Sequence, residues 1–189
     1  MNSFTYNLKQ CVDVLRSGGL ILYPTDTIWG IGCDATNEKA VEKIYQLKKR
    51  PGEKAMIVLM ADKKEVSEYV DHPDKRIFEY LKKTSKPTTV IYQKAKKLAP
   101  NLIGDDGTIA IRICKDSFCN ELIMKFGKPV VSTSANISGS PSPQSFKNVS
   151  ELIKNGVDYT VTYRQEDEEK AQPSSIIKWE DGKILVIRP

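Results

Sequence analysis

The chain has 189 residues, of which 40% are hydrophobic and 28% charged, and its formal net charge is +5. This mixture is typical of a folded globular domain and argues against a disordered chain. No apolar run approaches the roughly 18 residues that a membrane-spanning helix needs, and the first residues lack a secretory signal pattern. We therefore expect a single cytoplasmic domain over residues 1–189 that makes no membrane contact.

The first predicted elements are a helix, a strand and a second helix. Apolar residues recur at helical spacing over residues 8–15, and two glycines separate this helix from a strand at residues 20–23. The polar segment 25–37 is then predicted to be a loop, in which Asn37 caps the second helix. Pro51 is expected to close that helix.

Further strands are short runs rich in β-branched residues, predicted at residues 55–60, 88–92, 108–113, 129–134, 159–164, 174–179 and 183–188. Helical patterns lie between most of them, at residues 64–70, 73–83, 116–126 and 146–155. Asp181 and Gly182 form a hairpin turn signal between the last two strands. This alternation predicts an α/β fold with a mixed sheet.

The four cysteines have no CxxC spacing, and the single His72 does not complete a typical zinc site with them. We therefore expect reduced, mostly buried thiols and no metal held by side chains.

Three polar clusters stand out, at residues 23–32, 48–54 and 132–143, whereas phosphate-loop, nucleophile-elbow and zinc-protease motifs are missing. In the first cluster, threonines and an aspartate follow a strand. Either this segment presents them to a ligand, or it is a tight loop stabilised by its own hydroxyls. In the second, Lys48, Lys49 and Arg50 end a helix. Cations are favoured there without any ligand, but they would also suit a triphosphate.

The third cluster follows a predicted strand. Ser134 and Asn136 are two residues apart, so in an extended segment both face one side and bind one ligand together; the alternative is a side-chain-stabilised turn. Arg112 and Thr108 share a face of their strand, where Arg112 binds a substrate carboxylate or forms a structural ion pair with an acidic residue. Arg188 is either a charge at the tail or a phosphate contact.

Taken together, these clusters resemble the YrdC-like family of threonylcarbamoyl-AMP synthases, in its single-domain short form. The family's K-x-R and S-x-N motifs are present as residues 48–50 and 134–136, and its PT-[DE]-T-x-[YW]-G element as residues 24–30. The ending, with PSSII followed by ILVIRP, also resembles the family's. The chain departs from the common pattern at Lys54, Leu59 and Gln144, where many members have Asn, His and Thr.

The resemblance implies a twisted open mixed sheet flanked by helices, with a basic cavity on one face. It assigns L-threonine binding to Thr27, Arg112, Ser134 and Ser174. The residues expected to contact ATP are Lys48, Arg50, Lys54, Thr108, Asn136, Gln144 and Arg188. Catalytic roles fall to Lys48, Arg50, Ser134 and Asn136.

The implied reaction joins L-threonine, bicarbonate or carbon dioxide, and ATP into threonylcarbamoyl-AMP and pyrophosphate, for the threonylcarbamoyladenosine modification of tRNA. Mg²⁺ would accompany ATP, and a downstream tRNA threonylcarbamoyl-transferase complex would take the product. One alternative is a non-catalytic module that binds tRNA or double-stranded RNA, which the +5 charge permits but the aromatic content of 8% does not favour. Another is a regulatory protein that binds ATP or an amino acid without turnover.

Overall fold

A computed structural model describes residues 3–50, 56–167, 172–180 and 182–189. The helices within these residues are α1 Ser3–Arg16, α2 Glu38–Lys48, α3 Lys63–Tyr69, α4 Arg76–Lys83, α5 Ser117–Phe126 and α6 Glu151–Asn155. The strands are β1 Ile21–Tyr23, β2 Gly30–Gly32, β3 Ile57–Met60, β4 Thr88–Tyr92, β5 Ile109–Ile113, β6 Val130–Ser134, β7 Tyr159–Thr160, β8 Ser175–Glu180 and β9 Lys183–Arg188.

The described strands form one sheet in the order β7-β1-β2-β6-β3-β5-β4-β8-β9. Three pairs are parallel, namely β1 with β7, β3 with β5 and β4 with β8, and the other neighbours are antiparallel. The predicted α/β class with a mixed sheet is confirmed. Strand β6, from the second half of the chain, lies between β2 and β3, which come from the first half.

Helix α2 follows the sequence prediction closely. The Asn37 side chain caps it by accepting a hydrogen bond from the Ala40 amide at 3.2 Å, and Val41 and Ile44 are among its buried residues. The helix ends at Lys48, because Lys49 adopts a left-handed conformation with φ of 49°. Pro51, which was expected to close the helix, lies outside the described residues.

The prediction that residues 25–37 form a loop throughout is wrong, because β2 lies within them. Its sequence, Gly-Ile-Gly, has too few β-branched residues to signal a strand. Glycine is needed there for space, since a Cβ on Gly32 would lie 2.7 Å from a ring carbon of Tyr23 and 2.8 Å from the Val131 carbonyl oxygen. The close approach of β1 and β6 therefore explains a strand that propensity misses.

Two other predicted elements are shorter than expected. The helix predicted at residues 146–155 is divided into the 3₁₀ turn Phe146–Asn148 and α6, which begins where the Ser150 side chain caps it. The strand predicted at residues 159–164 pairs only over β7. The Thr162 amide instead donates to Asn7 of α1 at 2.8 Å, so a helix side chain takes the place of a strand neighbour.

The core contains all four cysteines as free, buried thiols, as predicted. Burial raises the pKa of the Cys11 thiol to about 12, which suits a packing role rather than a reactive one. Helix α1 packs against α5, where the rings of Phe4, Phe118 and Tyr163 meet with centroids 5.2 to 5.6 Å apart. In the described part of the chain, no helix is long and apolar enough to cross a membrane.

Candidate active site

A cavity of about 190 Å³ opens on one face of the sheet, and three arginines line it: Arg50, Arg112 and Arg188. We call it the arginine cavity. The other lining residues come from the loop before β2, from the beginnings of β3 and β8, and from β6; they include Thr27, Gly30, Met56, Ile57, Ser132, Thr133, Ser134, Ser142, Ser174 and Ile176. No carboxylate is present among the described residues that line it. The cavity is therefore suited to an anionic ligand.

Six of the residues assigned from the sequence meet in this cavity: Thr27, Arg50, Arg112, Ser134, Ser174 and Arg188. They come from widely separated parts of the chain, so the fold brings them together. The sequence analysis missed Ser132 and Ser142, which also line the cavity. Strand alternation offered a signal for Ser132, because it lies two residues before Ser134 on β6.

Arg112 is only 3% exposed, and its Nη2 atom lies 3.0 Å from Oδ1 of Asp26. This contact is an ion pair without hydrogen-bond alignment, since that Asp26 oxygen has no hydrogen-bond partner among the residues that the structure describes. The Nε atom of Arg112 is buried and also lacks a hydrogen-bond partner within the described ranges. The structural ion pair considered for Arg112 is thus present, while the same guanidinium keeps an unused donor beside the cavity.

Ser174 and Arg188 form a second part of the cavity wall. Arg188 donates from Nε and Nη2 to the Ser174 carbonyl oxygen at 3.0 and 2.7 Å. The buried Ser174 hydroxyl lies 2.8 Å from the hydroxyl of Thr89 on β4. Burial, followed by the positive charge of Arg112, lowers the pKa of Arg188. The positive charges of Arg112 and Arg188 are therefore close enough to interact, and both guanidinium groups line the arginine cavity.

Thr27 is positioned by a network of hydroxyls in its own loop. The Thr25 hydroxyl donates to the Ile28 carbonyl oxygen at 2.8 Å and accepts from the Thr27 amide at 3.0 Å. The two threonine hydroxyls are 2.9 Å apart, and Thr27 is the donor because the Thr25 proton is already used. The self-stabilised loop considered from the sequence is therefore present, and it places Thr27 in the lining of the arginine cavity.

Lys48 does not line the arginine cavity but lies beneath it, with 1% exposure. Its Nζ atom donates to the Ser134 carbonyl oxygen and, at 2.6 Å, to the Asn136 carbonyl oxygen. Its own carbonyl accepts from the Ser138 amide at 2.8 Å. Burial, followed by the charge of Arg50, lowers the pKa of Lys48 to about 8. In this structure Lys48 ties the end of α2 to the 134–138 loop, and its contact with phosphates stays a prediction.

The expectation that Ser134 and Asn136 face one side of an extended segment is wrong. Strand β6 ends at Ser134, and the Asn136 amide donates back to the Ser134 carbonyl oxygen at 2.9 Å, so the chain turns. The Asn136 side chain donates to the carbonyl oxygens of Ile137 and Ser140 at 3.0 and 2.6 Å. Its Oδ1 atom is buried and has no hydrogen-bond partner in the described part of the chain. The side-chain-stabilised turn considered from the sequence is present.

Two further residues assigned to ATP lie outside the lining of the arginine cavity. Thr108 is outside the lining of the arginine cavity, and its hydroxyl donates to Asp106 at 2.6 Å. Gln144 lines a neighbouring cavity of about 200 Å³ that shares Thr27 with the first. Lys54 falls outside the described residues. Their contacts with ATP stay predictions. Leu59, which replaces a common histidine, is buried in β3.

Comparison with known proteins points to one family. The model of the Sua5/YciO/YrdC family, described as telomere recombination, matches residues 13–189. The threonylcarbamoyl-AMP synthase of Aliivibrio fischeri is 34% identical over 185 residues, covering 95% of this chain and 97% of the relative. That of Photobacterium profundum is 38% identical over 138 residues, covering 71% of this chain and 75% of the relative.

Solved structures show the same fold. E. coli YciO is 25% identical, with a TM-score of 0.82 over 96% of this chain and 87% of YciO. P. abyssi Sua5 in complex with L-threonine is 24% identical, with a TM-score of 0.85 over 96% of this chain. The chain spans only 53% of that Sua5 chain. The likeness confirms the predicted twisted open sheet flanked by helices.

Proposed function

Because the chain belongs to the Sua5/YciO/YrdC family, we propose that it is the enzyme that forms threonylcarbamoyl-AMP and pyrophosphate from L-threonine, carbon dioxide or bicarbonate, and ATP. Relatives that carry this name match nearly the whole chain. The observation that carries the proposal is the arginine cavity, which gathers three guanidinium groups and several hydroxyls in a lining free of carboxylates among the described residues.

The reaction explains why strong catalytic motifs are missing from the sequence. The threonine amine adds to carbon dioxide to give a carbamate and a proton. A carbamate oxygen then attacks the α-phosphorus of ATP, and the bond to the bridging oxygen breaks to release pyrophosphate. Since the nucleophile is already an anion, the protein has to position two anions and neutralise their charge more than it has to transfer protons.

The cavity offers groups for both substrates. In the proposal, Arg112 binds the threonine carboxylate, with Thr27, Ser134 and Ser174 around the rest of the amino acid. Arg50 and Arg188 face the phosphates, where planar guanidinium groups suit pairs of oxygens. Lys48 holds the loop that carries Ser134, so its contribution acts through that loop. The proposed class is therefore a nucleotidyltransferase.

Mg²⁺ would enter as part of the ATP complex. No group of three or more metal-binding side chains occurs among the residues that the structure describes. Phosphate oxygens and water, which Mg²⁺ prefers at nucleotide sites, would supply its ligands. Bound in this way, the ion neutralises phosphate charge. The proposal also includes location in the cytoplasm, binding of tRNA or double-stranded RNA, and transfer of the product to a tRNA threonylcarbamoyl-transferase complex.

The test is pyrophosphate release measured with each component supplied or withheld in turn. We expect release only when L-threonine, bicarbonate, ATP and Mg²⁺ are all present, because the carbamate must exist before the α-phosphorus is attacked. Equal release without threonine would reject the assignment. Binding of ATP or threonine without any release under full conditions would instead support a regulatory protein.

A further inference from the structure

A second cavity lies on the opposite face of β5. Arg112 faces the arginine cavity, and the next residue, Ile113, lines the second one, as strand alternation requires. The second cavity is larger, with a volume of about 490 Å³. Phe78 and Leu81 of α4 complete an apolar floor with Ile113. Small molecules typically bind in largely apolar cavities of about 300 to 1,000 Å³.

Four lysines surround this floor: Lys63, Lys82, Lys86 and Lys115. We call the site the lysine cavity. Lys82 pairs with Glu79 at 2.7 Å, and Lys115 donates to the Thr84 carbonyl oxygen at 3.2 Å. The ammonium groups of Lys63 and Lys86 form no ion pair with any residue that the structure describes. Two cations are therefore available to a ligand.

The three carboxylates in the lining are already engaged. Asp26 pairs with Arg112 at 3.0 Å. Asp62 caps α3 by accepting from two of its first amides at 2.6 and 3.1 Å. Asp116 accepts from an amide of α5 at 2.9 Å and pairs with Arg164 at 2.9 Å. The described lining contains four lysines and three aspartates, and two of the aspartates pair with arginines outside it, so the net charge of the lysine cavity is positive.

The same contacts limit the charge of the ligand. Multiply charged phosphates are typically held by free amides at a helix start or by arginine forks. Here the amides at both helix starts are capped by aspartates, and no arginine is among the described lining residues. The lysines provide only point charges on flexible stems. The cavity is therefore better suited to a singly charged anion than to a phosphate.

We propose that the lysine cavity binds a small amphipathic monoanion, a carboxylate attached to an apolar alkyl or aryl body. The carboxylate lies between the ammonium groups of Lys63 and Lys86, and the apolar body lies on Phe78, Leu81 and Ile113. This site is separate from the arginine cavity, and its existence does not depend on the proposed synthase activity.

The probes are octanoate and 2-naphthoate, titrated into the full chain by calorimetry, with 1-octanol as the uncharged counterpart of octanoate. We expect the double variant Lys63→Gln and Lys86→Gln to bind both acids about 5- to 30-fold more weakly, since two charge contacts are lost. Lys83→Gln is the matched control, because Lys83 is an exposed lysine of α4 outside the cavity lining, and its affinity should match the parent.

A second variant tests the floor. Leu81→Gln should weaken both acids while the melting temperature stays close to that of the parent, because Leu81 is only half-buried. Octanoate should remain bound in the presence of saturating ATP and threonine. Four results would each overturn the proposal. The first two are displacement of octanoate by either substrate and binding of octanol as tight as that of octanoate. The other two are equal affinity in the double variant and the Lys83→Gln control, and no binding of either acid at up to about 10 mM.

Discussion

Replacing Arg112 by lysine keeps a positive charge beside Asp26 and removes the planar guanidinium. In the parent chain the Arg112 side chain is 3% exposed, its Nη2 atom lies 3.0 Å from Asp26, and its Nε donor is unused. A lysine ammonium can still meet Asp26, but it offers a point charge in place of two parallel donors. The substitution therefore separates the ion pair from carboxylate recognition.

The expected effect is selective. If the guanidinium holds the threonine carboxylate through two hydrogen bonds, threonine affinity should fall about 10- to 100-fold, equivalent to about 1.4 to 2.8 kcal/mol. Stability should fall by less than about 2 kcal/mol, because the partly buried Asp26 keeps a cationic partner. ATP affinity measured without threonine should change by less than about 2-fold, since the phosphates are assigned to Arg50 and Arg188.

Calorimetric titration of each ligand, beside denaturant unfolding of the ligand-free protein, gives all three quantities. Arg164→Lys is a suitable control. Arg164 also pairs with two carboxylates, the partly buried Asp116 at 2.9 Å and the exposed Asp167 at 2.7 Å, but it does not line the arginine cavity. Its substitution should leave the threonine affinity unchanged.

Two results would refute the reasoning. An Arg112→Lys protein that melts normally and binds threonine as tightly as the parent would show that Arg112 is not the carboxylate ligand. A protein that loses threonine and ATP affinity together, with a large loss of stability, would show that the ion pair with Asp26 is its main role.

Four further predictions concern the loops around the cavity. Lys48→Met should lower the free energy of unfolding by about 2 to 4 kcal/mol in denaturant titrations, because the Asn136 carbonyl oxygen loses the Lys48 donor and the Ser134 carbonyl oxygen keeps, among the described donors, only the Asn136 amide. A loss below about 1 kcal/mol would contradict this. The pKa of Lys48 is about 8 in the folded protein and 10.5 in the unfolded chain, so between these pH values the unfolded chain binds more protons. The stability of the parent relative to Lys48→Met should therefore rise with pH. Unfolding curves at about pH 7, 9 and 10 test this, and a flat or falling difference would refute it. Asn136→Ala removes the two hydrogen bonds that stabilise the turn and should reduce pyrophosphate release at least about 10-fold. Circular dichroism should show that the sheet stays folded. Unchanged turnover would show that Asn136 does not belong to the site. Thr25→Val should raise the Michaelis constant for threonine, because Thr27 loses two contacts, whereas an unchanged constant would show that the loop holds Thr27 without them.

The sequence predicted those parts of the fold that depend on local signals. Asn37 caps α2 as expected, and the strand predicted at residues 88–92 has the bounds of β4. Strand β2 could not be predicted, because Gly32 is needed where Tyr23 and Val131 of neighbouring strands leave no space for a side chain. The short β7 likewise depends on Asn7 of α1, a contact distant in sequence.

The candidate site shows the same division. The sequence identified most residues of the arginine cavity, but it did not separate Lys48 from Arg50, although they are two positions apart. That distinction depends on the helix: α2 ends at Lys48 and directs it inward beneath the 134–138 loop, whereas Arg50 lies past the left-handed Lys49 and lines the cavity. Neither direction is visible in a run of three cations.

The choice between substrate contact and ion pair for Arg112 also could not be made from the sequence, and the structure shows why the two are compatible. Three guanidinium groups in a lining without described carboxylates repel one another, and this cost is relieved when an anion enters. Asp26 reduces that cost from outside, because it lies beside Arg112 without lining the arginine cavity. A compensating carboxylate inside the cavity would have competed with the ligand. Placed behind Arg112, Asp26 instead stabilises the buried cation and leaves the cavity open to the carboxylate and phosphates of the proposed substrates.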